Sequence, residues 1–202
     1  GGNLVFQGRA DGLLLAYRAD NGEKVWEYNA KHGISAPPIT YAVDGKQYIA
    51  LPVGWGGGIA MTAGSIGAQH GWPYGVHPRR LLVFALDGKA DLPPTPPPTA
   101  VVAIDDPEFV LDDALIARGT EIWSDTCFWC HGGGAVSGGG TPDLRASKIV
   151  LDLKAMSQVV RKGALVPRGM PQFEEYTEND VLAIQHFVRS KARLELNAAK
   201  AE

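Results

Sequence analysis

Residues 91–100, "DLPPTPPPTA", constrain this chain more than any other stretch, because five of the ten are proline. Proline fixes φ and lacks a backbone donor, so neither a helix interior nor a central strand can absorb this density. An extended, stiff polyproline segment is expected. The chain is therefore expected to fold as two parts, residues 1–90 and 105–202, with 91–104 as a linker.

Before the prolines, short β-branched and aromatic runs are separated by the turn pairs Asp11-Gly12, Asn21-Gly22 and Asp44-Gly45. "ITYAVDGKQYIALPV" is the clearest hairpin, since Asp and Gly tolerate the positive φ angles that a two-residue connection requires. The glycine-rich "GWGGGIAMTAGSIGAQHGWPYGVHP" is expected to be a loop, and "RRLLVFALDGKA" one further strand. So small a set of antiparallel strands leaves a face uncovered, and something else must bury it. The opening "GGNLVFQG" is similar to the remnant left by tag cleavage. Leu4, Val5 and Phe6 nevertheless continue into a strand–turn–strand rhythm, so a native strand is expected, and the missing initiator Met leaves open a natural start upstream.

After the prolines the period changes to that of helices. "DDPEFVLDDALIARGTEIW" places Phe109, Leu111, Leu115, Ile116, Ile122 and Trp123 in a helical pattern weakened by Gly119. A second helix is expected over Leu151 to Lys162, ended by Gly163. Thr177 and Asp180 form a capping box for a third, with Val181, Ile184, Phe187 and Val188 on one face. The overall class is mixed: antiparallel β first, all-α second.

With 19 basic and 22 acidic residues, a net charge of −3 and no Lys/Arg cluster interleaved with aromatics, nucleic acid is not an expected partner. No apolar run approaches the roughly 20 residues that span a bilayer, so no transmembrane segment is expected.

The two cysteines, Cys127 and Cys130, stand in "CFWCH" with His131 directly after. A disulfide or redox dithiol fits C-x-x-C, but a redox dithiol is expected beside a βαβ pattern, which this half lacks. Zinc needs four donors, and no second Cys pair exists. The remaining reading is covalent haem attachment, whose signature is C-x-x-C-H: two thiols bond the porphyrin edge and His131 lies under the iron. Such a centre also needs a distal ligand, and Met170 in the Pro/Gly-framed "VPRGMPQF" is the candidate. Met156 lies mid-helix and reads as core filler, while Met61 belongs to the other part. Imidazole opposite thioether fills both axial positions, which suits electron transfer. His32, His70, His77 and His186 have no ligand-like context.

With "CFWCH", "TPDL", "GMP" and a capped final helix, residues 105–202 resemble a class I cytochrome c domain. The resemblance implies that the Pro142 carbonyl takes the other ring N–H of His131. Arg145 is a candidate for a haem propionate, with a solvated arginine as the alternative, and Phe128 and Trp129 are candidates for the haem edge or for plain core. The stretch "AYRADNGEKVWEYNA" resembles the tryptophan-docking repeat of quinoprotein propellers through Ala16, Asp20, Gly22 and Trp26, a repeat whose Trp packs between neighbouring blades. "YIALPVGWGG" is similar to the last-blade segment near pyrroloquinoline quinone (PQQ), which makes Val53 and Trp55 candidate cofactor contacts.

Propeller end, proline linker and cytochrome c, in that order, resemble the C-terminal third of a type II quinohaemoprotein alcohol dehydrogenase. That resemblance implies haem c here, with PQQ and Ca2+ in the parent. It implies as partners the remaining blades, an alcohol, and an acceptor such as a small cytochrome, a copper protein or a membrane quinone system. A bacterial periplasm follows, and so does a chain that alone lacks the catalytic base. The rival expectation is a stand-alone electron carrier with an accessory β docking domain.

Overall fold

The computed structural model describes residues 2–201; Gly1 and Glu202, the outer ends of the two expected parts, lie outside the described residues. Turn chemistry sets the first six strands, β1 (Leu4–Gly8), β2 (Leu13–Arg18), β3 (Lys24–Asn29), β4 (Ile39–Val43), β5 (Lys46–Val53) and β6 (Arg80–Phe84). They form two antiparallel three-stranded sheets, ordered β1-β2-β3 and β4-β5-β6. Asp44 and Gly45 have φ of 51° and 75°, the paired positive angles of a type I′ connection. At the other turns, Asp11 and Asn21 carboxyl and amide oxygens accept the Leu13 and Glu23 N–H groups at 3.1 and 2.9 Å.

The sheets pack against each other through Leu14, Ala30, Ile34, Leu51 and Val53, flanked by Phe6, Tyr28, Leu82 and Phe84. Trp26 stacks on Tyr28 at 6.0 Å and meets the edge of Phe84 at 5.5 Å, so the repeat's tryptophan bridges the two sheets. The opposite face of β4-β5-β6 is uncovered. Ile39, Val43, Leu81 and Val83 there are each at least half exposed, an apolar face that one sheet cannot bury by itself.

Residues 54–78, expected to be a loop, contain two short helices, α1 (Gly57–Thr62) and α2 (Gly64–Gln69). Their glycines serve contact more than turning. A Cβ on Gly64 would sit 2.0 Å from the Val136 carbonyl oxygen, and one on Gly138 would sit 2.2 Å from the Gly64 carbonyl oxygen. The two halves thus meet backbone to backbone, which only residues without side chains permit.

The proline segment is docked along its length. Arg80 donates to the Thr95 hydroxyl at 2.7 Å and the Pro94 carbonyl at 3.0 Å. The Thr99 N–H reaches the Gly71 carbonyl at 2.9 Å, and the Ile104 N–H the Arg145 carbonyl at 2.9 Å. Beyond it, Asp105 accepts from Arg189 at 2.8 Å and from Arg193 at 2.6 Å, pinning the chain to the last helix.

The helical half comprises α3 (Asp113–Ile122), a π-helical turn (Trp123–Cys127), α4 (Phe128–His131), α5 (Leu153–Val160) and α6 (Glu178–Ala201). Helix α5 starts after the cap Asp152, two residues later than expected, because Lys148–Leu151 form a 3₁₀ turn. The expected capping box forms at α6: Thr177 Oγ1 accepts the Asp180 N–H at 3.1 Å, and the Asp180 carboxylate accepts the Thr177 N–H at 3.0 Å. Gly119, expected to weaken α3, is the point at which α3 crosses α6; a Cβ there would lie 2.1 Å from the Ala183 carbonyl oxygen. The core joins Ile122, Trp123, Val150, Met156, Val160, Val181, Ile184, Phe187 and Val188. His186 is buried and its Nδ1 accepts the Asp112 N–H at 3.1 Å, a structural role.

Candidate functional site

The π-helical turn and α4 place Cys127 and Cys130 one turn apart with His131 at the helix end. Neither cysteine is in a disulfide. Burial pushes the Cys127 thiol up to about 12, with Cys130 adding to the shift. Among the described residues, no three His, Cys, Asp or Glu side chains converge as a metal site, so the zinc alternative lacks its further donors.

The chain after His131 turns back on this helix. Gly132 has a φ of 75°, and its carbonyl accepts Trp123 Nε1–H at 2.9 Å. Thr141 Oγ1 donates to the Cys130 carbonyl at 2.7 Å and lies 3.5 Å from His131 Nδ1. With its proton committed to Cys130, that hydroxyl faces the ring as an acceptor, which favours hydrogen on Nδ1 and leaves Nε2 bare. Burial lowers the His131 pKa, and the Pro142 carbonyl and Asp143 act in the opposite sense. The structure thus brings Pro142 to the imidazole.

Arg145 is buried and donates to both Asp143 oxygens, at 3.0 and 2.8 Å, and to Glu195 at 3.1 Å. Asp143 Oδ2 in turn accepts the Ser137 N–H at 3.3 Å. The pair therefore fastens the loop that carries Thr141 and Pro142.

Met170 follows Gly169, whose φ is 92°, after a 3₁₀ turn over Val166–Arg168. Met170, Cys127, Phe128, Leu144, Leu153, Phe173 and Tyr176 all pack on the helical core while staying partly uncovered. This donor set fits haem c: two free thiols at the tether spacing, an imidazole held by its Nδ1 side, and a thioether packed on the same hydrophobic core as Cys127. Trp129 is 61% exposed and Phe128 meets it edge-on at 5.6 Å, so Trp129 is not core.

Trp55 lies between the halves, 3% exposed, against Gly67 of α2 and Gly139 of the loop after His131. It lines a cavity of about 450 Å3 with His32, Tyr74, His77, Arg79 and Gly140. The buried Trp55 Nε1 and His77 Nδ1 have no hydrogen-bond partner within the protein, whereas His77 Nε2 pairs with the Pro97 carbonyl at 3.1 Å. Burial, then the neighbouring His77, Arg79 and Arg80, lower the His32 pKa to about 4. Trp55 and Arg79 line this cavity together, while the orphaned indole nitrogen lies against Gly67 of α2. Val53 does not join this cavity. Its side chain is 3% exposed in the core between the sheets, because the strand's alternation turns it inward. His32, His77 and Arg79 were not singled out as site residues by sequence reasoning; the only signal was a His/Arg-containing run, "GVHPRR", directly after aromatics.

Two antiparallel three-stranded sheets followed by a helical half that carries C-x-x-C-H and Met170 have the order of a quinoprotein propeller joined to a cytochrome. Residues 1–49 match the family described as glucose/ethanol/alcohol dehydrogenase, beta-propeller domain, and residues 114–188 match cytochrome C oxidase, cbb3-type, subunit III. The chain is similar, along nearly its whole length, to the C-terminal part of quinohaemoprotein alcohol dehydrogenases. It is 42% identical to quinohemoprotein alcohol dehydrogenase ADH IIB of Pseudomonas putida, over 94% of this chain and 27% of that protein. It is 37% identical to 1-butanol dehydrogenase (cytochrome c) of Thauera butanivorans, over 95% and 26%. The solved structure of ADHIIG from Pseudomonas putida superposes with a TM-score of 0.76 at 38% identity, covering 96% of this chain and 27% of that one. That of the Comamonas testosteroni enzyme gives 0.70 at 31% identity, covering 95% and 27%. The chain spans about a quarter of the length of these relatives. Its cytochrome domain implies haem c, and the quinohaemoprotein type implies PQQ in the parent. No described helix is long and apolar enough to cross a membrane.

Proposed function

We propose that this chain is the electron-transfer portion of a periplasmic PQQ-dependent enzyme that oxidises alcohols to aldehydes or ketones. The observation that carries the reading is the C-x-x-C-H thiols and imidazole, with Cys127 and Met170 packed on the same hydrophobic core, in a chain matched along nearly its whole length by quinohaemoprotein alcohol dehydrogenases. Bound haem c supplies a one-electron iron couple, and PQQ in the parent supplies a two-electron quinone/quinol couple.

Cys127 and Cys130 are assigned as thioether tethers, His131 as proximal ligand through Nε2, and Met170 as distal ligand. Thr141 and the Pro142 carbonyl hold the proton on His131 Nδ1 and fix the ring's orientation. Arg145 keeps two N–H groups beyond those given to Asp143 and Glu195, enough for one propionate. Trp55 and Arg79 are assigned to the PQQ side, Trp55 as an aromatic wall of the cavity and Arg79 as counter-charge. The glycine-on-glycine contact holds that side against the loop after His131, and the docked prolines keep it there. The exposed face of β4-β5-β6 supports further blades covering it. The acceptor is assigned to a small redox protein or a membrane quinone system, Ca2+ to earlier blades, and the periplasm to the site of haem attachment.

The experiment is maturation with haem, acid-acetone extraction and mass spectrometry of the peptide containing Cys127 and Cys130. Haem mass retained on that peptide is expected; a bare peptide overturns the reading. Alcohol-dependent haem reduction by the parent, lost when this chain's cysteines are replaced, tests the enzymatic assignment.

A further inference from the structure

The loop that carries Met170 is fastened unequally to its two neighbours. Residues 163–176, which carry Met170, are tied to Val160 of α5 and to the Arg161 that follows it by several bonds. The Phe173 N–H donates to the Val160 carbonyl at 2.8 Å, Gln172 Nε2 to the Arg161 carbonyl at 2.9 Å, and Arg161 Nε to the Tyr176 carbonyl at 2.6 Å. Toward the side that carries the thiols there is far less. Among the described residues, a single hydrogen bond joins residues 163–176 to residues 120–135, between Tyr176 Oη and Thr126 Oγ1 at 2.6 Å.

The hydroxyls along this helical run are used differently. Thr120 and Ser124, earlier on the same helical run, spend their hydroxyls on the carbonyls four residues back, at 2.7 and 2.9 Å. Thr126 lies in the same π-helical turn as Ser124, but its hydroxyl crosses to Tyr176 instead. Tyr176 is held from two further directions, its ring stacked on Phe173 at 5.7 Å and its carbonyl bound by Arg161. The bond therefore runs between a rigid tyrosine and the residue preceding Cys127.

We propose that Thr126 and Tyr176 form a latch that positions Met170, holding the thioether-bearing loop closed on the thiol-bearing turn. The inference rests on the assignment of Met170 and His131 as axial ligands. Thr126 and Tyr176 are positioning residues, and neither is assigned to the iron. One hydrogen bond removed from such a closure is worth up to about 1.4 kcal/mol, so an added ligand that competes with Met170 should bind up to about tenfold more tightly.

The test uses the haem-loaded chain and imidazole as the competing ligand, followed by the ferric absorbance change. Tyr176→Phe and Thr126→Val are each expected to tighten imidazole binding by up to about tenfold. The double variant should match either single one, because both break the same bond, and Thr126→Ser should return to the parent affinity. Unchanged affinity in the single variants, or effects that multiply in the double variant, would overturn the latch. Should Thr126→Val disturb haem loading, Tyr176→Phe decides alone, since it deletes one oxygen and keeps the stacked ring. Met170→Ala is titrated alongside. No response there overturns the ligand assignment, whereas a response there with none at Tyr176→Phe overturns only the latch.

Discussion

Replacing Gly119 by Ala separates local propensity from tertiary contact with opposite signs. In an isolated helix the change should stabilise by about 1 kcal/mol, because Ala is the better helix former. In this protein the new Cβ would stand 2.1 Å from the Ala183 carbonyl oxygen, 2.7 Å from the Ala183 carbonyl carbon and 2.9 Å from Phe187 Cβ. Two of those three atoms are backbone of α6, so no rotamer change relieves them, and α3 must move by about an ångström to restore ordinary contact. Overpacking of this kind costs about 1–3 kcal/mol or somewhat more, and it exceeds the propensity gain. We expect a net loss of about 2 kcal/mol, or about 4–8 °C in Tm for a chain of this size. Gly58→Ala is the control, since a Cβ there meets nothing within 4 Å; it should be neutral or slightly stabilising. Thermal and urea unfolding of the haem-loaded protein, followed by far-ultraviolet circular dichroism, measures both. A Gly119→Ala variant as stable as the parent would refute the reading of Gly119 as a crossing point.

The other predictions concern charge and packing. His32 has its pKa lowered from 6.5 to about 4 by burial and its cationic neighbours, so the stability it confers is complete above pH 6.5 and lost as pH falls toward 4. The loss should be at most about 3 kcal/mol, and an imidazole NMR titration should show no protonation until near pH 4. The Asp180 carboxyl is held below its usual range by Thr177 and then Arg118, so its contribution is present above about pH 4 and lost as pH falls through the lowered value. Thr177→Ala should cost α6 about 1 kcal/mol and flatten that acid dependence in pH-resolved melts. Trp26→Ala removes the contacts with Tyr28 and Phe84 that join the sheets. Amide exchange should then quicken in β1 to β6 while α3 to α6 keep their protection.

The turn pairs, the capping box of α6, the core role of Met156 and the C-x-x-C-H triplet were all legible in the sequence. Each depends on residues within a few positions of one another, where backbone preference and side-chain reach are fixed by covalent connection. Residues 54–78 were misread because glycine signals a turn and close backbone contact alike, and only the partner, Val136 to Gly140, tells which applies. For the same reason Gly119 looked like a flaw in α3. Val53 faces the inter-sheet core and Trp55 the cavity, a difference that strand alternation allows but that only the packed sheets assign. The commitment of Arg145 to Asp143 and Glu195, and of Thr126 to Tyr176, spans up to 50 residues. Local sequence thus determined which chemistry the chain can carry, and tertiary contact decided which side chains hold it in place, because long-range proximity is set by the whole packed arrangement and by no single stretch.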